Sequence, residues 1–220
     1  MRTRGLAAVA AAAVLAVTSV ALAAPVPVPN GGFEEGSFAK WDRFERGGGE
    51  WGLYGVLRQG LGGAKIPPPP QGTYAALATQ DSPGLNILHR VVKLKPGAVN
   101  KLKFELYYDN AGNPFASPNH FRFGGGATLP RGGGEAPVNQ QLRVDLMKPK
   151  AKIKSLRGKD ILATLLRTRP GDPKVRPYKP VRANLKKLGI KGKRVRLRIA
   201  EVDNQGEFFV GVDDLRHKAR

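Results

Sequence analysis

Short runs of apolar or alternating residues recur along the chain, and glycine and proline separate them. Between positions 194 and 199, arginine alternates with valine, leucine and isoleucine, which is the period of a strand with one buried and one solvent-facing side. Runs of this kind lie at 51–57, 73–79, 86–95, 101–108, 140–147, 194–202 and 208–216. Evenly spaced short strands with turn residues between them predict an all-β fold, a β-sandwich of the jelly-roll type.

Two segments depart from this pattern. Apolar residues with helical spacing occupy positions 161, 162, 165 and 166, and Pro170 and Gly171 follow them, so we predict one short helix at 159–167 in a long connection. Residues 110–139 contain two Gly-Gly-Gly runs and little apolar content. Loops of this length are either functional or disordered, and we expect this one to be mobile.

The first 23 residues have the features of a signal peptide. Arg2 and Arg4 precede a run of alanine, valine and leucine, and Ala21 and Ala23 are small residues suited to cleavage after Ala23. The alternative is an uncleaved membrane anchor, and no later segment is apolar enough to span a bilayer. We therefore expect a proline-rich spacer at 24–29, one domain at 30–217 and a basic tail at 218–220.

Composition limits the chemistry of the chain. The 220 residues include no cysteine, which excludes disulfides and thiol chemistry, and the formal charge is +20. Residues 140–220 hold 23 Lys or Arg against 8 Asp or Glu. Such a charge favours binding to anionic polymers, and the alternative is a solvated basic surface without a ligand.

Catalytic motifs are lacking. His89, His120 and His217 are scattered, and the sequence has no Gly-x-Ser-x-Gly, His-Glu-x-x-His or phosphate-binding glycine motif. Glutamates occur at 34, 35, 45 and 50 near Gly-Gly-Gly, where we expect a solvated loop rather than a glycosidase pair. The sequence therefore predicts that the protein is not an enzyme.

Motifs at both ends resemble one family. The segment 30–41 reads N-G-G-F-E-E-G-S-F-A-K-W, the segment 72–77 reads G-T-Y-A-A-L, and 94–97 reads L-K-P-G. Near the other end, 202–206 reads V-D-N-Q-G and 211–215 reads G-V-D-D-L. Together they resemble carbohydrate-binding modules of the galactose-binding-like superfamily.

The resemblance implies a jelly-roll sandwich of two antiparallel sheets in which the first and last segments meet. It also implies a structural calcium ion there, for which Gly31, Glu34 and Asp213 could supply oxygens, with Asp214 as a rival of Asp213. The alternative is that these acids cap a turn or pair with Arg and Lys. Members of the superfamily include sugar binders, adhesion modules and appendages of enzymes, so the ligand stays open.

Two sets of residues are candidates for ligand binding. Aromatic rings stack on sugars when they are exposed, although burial in the core is the alternative for these: Trp41, Trp51, Tyr54 and Tyr107. Arginines two apart on a strand form a row towards solvent that suits carboxylate or phosphate: Arg194, Arg196 and Arg198. A polybasic segment at 148–159 adds to the second set.

Two functions follow. The first is a secreted, non-catalytic binding module for extracellular carbohydrate or an anionic cell-wall polymer. The second is a structural or adhesive surface protein with no sugar site. In either case we expect a secreted or cell-surface monomer without sequence-specific binding to nucleic acid.

Overall fold

A computed structural model describes residues 25–26, 28–55, 58–59, 65–112, 114–123 and 138–220. The fold is built almost entirely from strands. The strands are β1 (Pro25–Val26), β2 (Asp42–Tyr54), β3 (Arg58–Gln59), β4 (Lys65–Ile66), β5 (Ala75–Lys93), β6 (Asn100–Asn110), β7 (Gln141–Met147), β8 (Ile161–Arg167), β9 (Val175–Asn184), β10 (Arg194–Asp203) and β11 (Phe208–Ala219). A single described 3-10 turn covers Pro118–His120.

Two long bent strands belong to both layers of the molecule. Residues 84–93 of β5 pair with β10, whereas residues 76–80 pair with β11, and β2 follows β5 along both halves. The bend in β2 coincides with a register shift between Gly47 and Gly49. Gly47 has a φ of 84°, a conformation that residues with a Cβ rarely adopt, so glycine is needed at this bend.

All pairings are antiparallel and generate two packed sheets. The first sheet has the order β2–β5–β10–β7–β8, and the second has the order β2–β5–β11–β6–β9, with β1 added to β11. Leu88, Val144 and Ile199 of the first sheet share one apolar core with Phe104 and Val210 of the second. The predicted all-β sandwich is therefore confirmed.

Loops cover part of each outer face. Residues 148–160 connect β7 to β8 and lie over the first sheet, where Ile153 and Phe121 join the apolar cluster that contains Ile87. On the second sheet, Ile66 packs with Tyr54 and Tyr107. Side chains on these outer faces are therefore not all in contact with solvent.

The helix predicted at 159–167 is wrong, because residues 161–167 form the edge strand β8. Two β-bulges explain the helix-like spacing of its apolar residues. Thr164 pairs with Asp145 and Leu166 with Val144, so Leu165 is an extra residue, and Leu162 is the extra residue of the second bulge. Each bulge shifts the inward and outward alternation by one position, which removes the period of two from the sequence.

Three other expectations concern the course of the chain. Glu45 and Glu50 lie in β2 rather than in a loop, although both are exposed. Lys218 and Ala219 belong to β11 and not to a tail. The signal peptide and the cleavage after Ala23 fall outside the described residues and stay predictions. The mobility expected for the glycine-rich loop at 110–139 also stays a prediction, and residues 113 and 124–137 of that loop lie outside the described residues.

Candidate functional site

A surface depression of about 440 Å³ lies on the outer face of the second sheet, where β6, β9 and β11 are adjacent. The register of the three strands makes this depression basic, because Lys103 of β6 pairs with Arg182 of β9 and with Arg216 of β11. Directly paired residues project from the same face of a sheet. Six basic residues line this basic depression: Lys101, Lys103, Arg182, Lys187, Arg216 and Lys218.

Among the described residues, acidic side chains reach only one side of the basic depression. Lys103 Nζ lies 2.8 Å from Glu105 Oε1 and 3.8 Å from Asp214 Oδ2, and Arg216 Nε donates to Asp214 Oδ1. The other four cations make no ion pair with any described residue: Lys101, Arg182, Lys187 and Lys218. All four are exposed, so their charges are available to a ligand from solvent.

The two ends of the domain meet beside this depression. The Gly31 carbonyl accepts a hydrogen bond of 2.9 Å from the Leu215 N–H. The two Glu34 carboxylate oxygens accept from the N–H groups of Thr73 (2.8 Å) and Tyr74 (3.0 Å). Asp213 Oδ2 accepts from the Gln71 N–H (3.2 Å). We call these residues the chain-end junction: Gly31, Glu34, residues 71–74, Asp213 and Asp214.

The carboxylates of the chain-end junction influence one another. The pKa of Asp213 is raised to about 7, chiefly by burial and also by the charges of Asp214 and Glu34, while hydrogen bonds from the N–H groups of Asp214 and Gln71 act in the opposite direction. Asp214 is held by Arg216 and Lys103, which leaves Asp213 as the less compensated acid. A Cβ on Gly32 would lie 3.4 Å from Asp213 Oδ1 and 3.9 Å from Glu34 Cγ, so both side chains approach this glycine.

Such a set of hard oxygens fits calcium only with help from the backbone. Over the ranges that the structure describes, no group of three or more His, Cys, Asp or Glu side chains is arranged to hold a metal. Glu34, Asp213 and the second lone pair of the Gly31 carbonyl are the available protein oxygens. Whether calcium binds there stays a prediction.

The predicted arginine row does not face solvent as a whole. Arg194 is exposed, but Arg196 donates to the Ala151 carbonyl at 2.5 Å, and Arg198 is 0% exposed. The loop at 148–160 covers this part of the outer face, and Arg198 donates to the carbonyls of Ile153 (2.6 Å) and Ser155 (2.9 Å) within it. The expectation of a solvent-facing row was therefore wrong for Arg196 and Arg198.

Arg198 belongs to a buried ionic network. Its Nη2 donates to Asp145 Oδ2 at 2.5 Å, and Arg143 makes two hydrogen bonds of 2.7 and 2.8 Å to the same carboxylate. Thr164 Oγ1 of β8 donates to Asp145 Oδ1 at 2.7 Å. Because one carboxylate joins β7, β8 and β10, this network stabilises the first sheet rather than binding a ligand.

The aromatic candidates lie in the interior. Trp41, Trp51, Tyr54 and Tyr107 are between 1% and 6% exposed, so none offers a ring face to a sugar. Trp41 stacks on Phe33, and Tyr54 Oη is 2.7 Å from Tyr178 Oη. These residues form the core, which was the alternative to stacking on a sugar.

Sequence reasoning missed the cations of the basic depression. Lys101 and Lys103 are spaced for one face of β6, as are Arg216 and Lys218 near the end of β11. The sequence does not reveal that β9 brings Arg182 to the same face, because β9 is distant along the chain and was not predicted. The signal that was available is the alternation of Lys101 and Lys103 with apolar neighbours.

Across the described ranges, no helix is long and apolar enough to cross a bilayer. No protein-family model matches the chain, and no curated protein matches it. Comparison with solved structures gives similarities that extend over most of the chain at low sequence identity.

The carbohydrate-binding module TmCBM61, solved in complex with β-1,4-galactotriose, is 15% identical, with a TM-score of 0.47 over 86% of this chain and 95% of that chain. A Stig cyclase, Fisc, from Fischerella sp. TAU is 15% identical, with a TM-score of 0.48, and the match covers 90% of this chain and 98% of the cyclase. A structure described as carbohydrate-binding modules from the β-sandwich superfamily is 13% identical, with a TM-score of 0.46, and the match covers 84% of this chain and 59% of that chain. Because these neighbours include both binding modules and a cyclase at such low similarity, they assign no activity to this chain.

Proposed function

We propose that the protein is a secreted, non-catalytic binding module whose ligand is an acidic extracellular polymer, bound across the basic depression. The observation that carries this proposal is the group of four exposed cations on one concave face that form no ion pair with a described residue. An exposed ammonium or guanidinium can exchange its water for a carboxylate, sulfate or phosphate oxygen at little cost.

The spacing of the cations suits a repeating anion. Lys101 and Lys103 are two residues apart on β6, so their side chains start about 6.5 to 7 Å apart. Lys218 and Arg182 lie on the neighbouring strands, about 5 Å to either side of β6. A chain with one negative charge per monomer could therefore meet several cations at once, which a single small anion could not.

Neutral sugars are less well supported as ligands. Of the large apolar or aromatic side chains that are exposed in the described ranges, only Tyr74 carries a ring, and it is 37% exposed. A neutral polysaccharide is normally held by stacking on such rings. The acidic polymer is therefore favoured over the neutral one.

We expect the triple variant K101Q/R182Q/K218Q to bind an acidic polymer roughly tenfold more weakly than wild type, because three exposed contacts of about 0.5 kcal/mol each are lost. Binding to polygalacturonate and to poly(glycerol phosphate) is measured by calorimetry at low and high salt, with neutral galactan as a third polymer. Wild-type affinity should fall as salt rises, and the variant should respond less.

The matched control is K148Q/K150Q/K152Q, which removes the same charge from the loop over the first sheet. Equal losses in both triple variants would show that net charge acts without a site. Tighter binding to galactan than to either acidic polymer, or no binding at all, would reject the proposal and favour a structural or adhesive surface protein.

We also propose a structural calcium ion at the chain-end junction, between Glu34 and Asp213. Calcium would compensate Asp213 and join the opening segment to β11 and to residues 71–74. The same ion would indirectly position Arg216, because Gln71 accepts a hydrogen bond from Arg216 and donates one to Asp213.

Calcium at 100 times its Kd should stabilise the wild-type fold by about 2.7 kcal/mol. We expect D213N to lose this effect and E35Q, which changes an exposed neighbour of Glu34, to keep it. Thermal unfolding with chelator and with excess calcium measures both. A D213N chain that responds to calcium like wild type would disprove the junction as the site, without affecting the proposal for the basic depression.

A further inference from the structure

A second depression, of about 350 Å³, lies at the end of the sandwich where β6 begins and β9 ends. Residues of two turns line it, one between β5 and β6 and the other between β9 and β10. Four of the lining residues are exposed lysines: Lys95, Lys186, Lys191 and Lys193. We call this surface the end depression.

The end depression adjoins the basic depression. On β6, Asn100 lines the end depression and Lys101 lines the basic depression. In the turn after β9, Lys186 lines the former and Lys187 lines the latter. The Leu185 N–H donates to the Asn100 carbonyl at 3.0 Å, which joins the two segments where the depressions meet. One ligand can therefore occupy both depressions without leaving the protein surface.

The charges around the two depressions are unevenly placed. Among the described residues, Glu105 and Asp214 pair with Lys103, and Glu105 lies two residues further from the end depression along β6. No described carboxylate forms an ion pair with the four lysines of the end depression. Three segments lead to this end of the sandwich, and none contains Asp or Glu: 91–104, 182–200 and 215–220. An anionic chain in the basic depression therefore meets carboxylates in one direction and cations in the other.

Buried hydrogen bonds hold the turn that carries Lys95. The Asn100 side chain is 8% exposed, and its Oδ1 accepts from the Lys95 N–H at 2.9 Å. Its Nδ2 donates to the carbonyls of Lys95 (2.9 Å) and Ala98 (3.0 Å). His217 Nε2 of β11 lies 2.7 Å from the same Oδ1. Because the backbone of this turn is fixed, less conformational entropy is lost when Lys95 binds an anion.

We propose that the ligand of the basic depression is a long, linear polyanion that continues along β6 into the end depression, where Lys95, Lys191 and Lys193 bind further anionic groups. The inference rests on the proposed function and adds the direction and the length of the ligand. Lys103 and Asn100 are three residues apart on β6, which is about 10 Å, so a chain of several charged monomers is needed to reach both depressions. A short anion would occupy one depression alone.

Oligogalacturonates of two lengths, a trimer and a decamer, test this path by calorimetry on the full-length protein. Glycerol phosphate oligomers of the same lengths form a second series. We expect the end variant, K95Q/K191Q/K193Q, to bind the decamer roughly tenfold more weakly than wild type, because three exposed contacts are lost. It should bind the trimer nearly as wild type does, because the basic depression is intact. The affinity of the end variant for the decamer should also depend less on salt.

The control is again K148Q/K150Q/K152Q, which removes the same charge from the loop over the first sheet and should bind both lengths like wild type. A decamer has more ways than a trimer to occupy the basic depression, but this statistical gain is the same in all these proteins. Equal weakening of decamer binding in the control and the end variant would overturn the inference, since net charge would then act without a path.

Equal decamer affinity in wild type and the end variant, with weaker binding by K101Q/R182Q/K218Q, would also overturn the inference but leave the proposed function standing. If wild type binds no oligomer of either length, the proposed function fails and the inference fails with it. Phosphatidylglycerol vesicles form a separate arm. Loss of vesicle binding in the end variant, with unchanged decamer binding, would overturn the inference in favour of a lipid surface as the partner of these lysines.

Discussion

Replacing Asp145 with alanine is expected to lower the free energy of unfolding by about 3 to 5 kcal/mol, because it leaves buried arginines without a counter-charge. Arg198 is 0% exposed, and the Arg143 side chain is 8% exposed. Thr164 of the edge strand β8 would lose its acceptor in the same variant. Urea unfolding of wild type and D145A measures the difference.

The matched control for this prediction is D42A. Asp42 also pairs with a side chain of the first sheet, at 3.5 Å from His89 Nδ1, but its own side chain is 72% exposed. An exposed pair contributes about 0 to 1 kcal/mol, so D42A should unfold close to wild type. Similar losses of unfolding free energy in D145A and D42A would contradict the assignment of Asp145 as the centre of an ionic network that stabilises the first sheet.

The same network gives a pH dependence with a defined sign. Burial alone would raise the pKa of Asp145, but the hydrogen bonds and charges of Arg143 and Arg198 bring it below its ordinary value. A depressed pKa means that this stabilisation is complete above the unfolded value of about 3.9 and is lost as the pH falls through the folded value. The stability difference between wild type and D145A should therefore narrow in acid.

The alternation of apolar and polar residues predicted individual strands correctly where the strand pairing is regular and incorrectly where it contains bulges. In residues 194–199 of β10 the alternation is uninterrupted, and both the strand and its core-facing side follow from the sequence there. In β8 the two bulges at Leu162 and Leu165 produce the spacing of a helix. Pairing with β7 decides the structure there, and that pairing is not visible from the segment itself.

Alternation also identifies which residues share a face but not what covers that face. Arg194, Arg196 and Arg198 do share the outer face of β10, as predicted. The loop at 148–160 then buries Arg198 and uses its guanidinium to satisfy two carbonyl groups. The basic depression escaped prediction for a related reason, since its cations come from strands that are distant along the chain.

Residues at the two ends of the chain were easier to bring together, because the opening and closing motifs imply that these segments meet. The hydrogen bond between Gly31 and Leu215 confirms that they do. Non-glycine residues with positive φ are concentrated in the same two motifs, at Asn30, Phe33, Lys40 and Asp214. This unusual backbone is consistent with a junction whose geometry depends on tight packing of both segments.

Replacing Gly31 with alanine is expected to destabilise the fold by about 3 kcal/mol, near the top of the range for an overpacked site. A Cβ at this position would overlap the Leu215 carbonyl oxygen and lie 3.0 Å from that of Val28. Both contacts are with backbone atoms, so no side-chain rotation can relieve them. The Gly31 carbonyl would move away from the Leu215 N–H, and Glu34 and Asp213 would be displaced with their segments.

Gly52 provides the matched control, because a Cβ there would meet nothing within 4 Å and its φ is not in the left-handed region. G52A should be neutral or up to about 1 kcal/mol more stable, since alanine loses less conformational freedom than glycine within a strand. Urea midpoints for wild type, G31A and G52A compare the two positions directly. If G31A unfolds at the same midpoint as G52A, the chain-end junction accommodates the added methyl group without a loss in the free energy of unfolding. Close packing of the chain ends would then not stabilise the fold. A lower midpoint for G31A alone would mean that the fold depends on the close approach of Gly31 to β11.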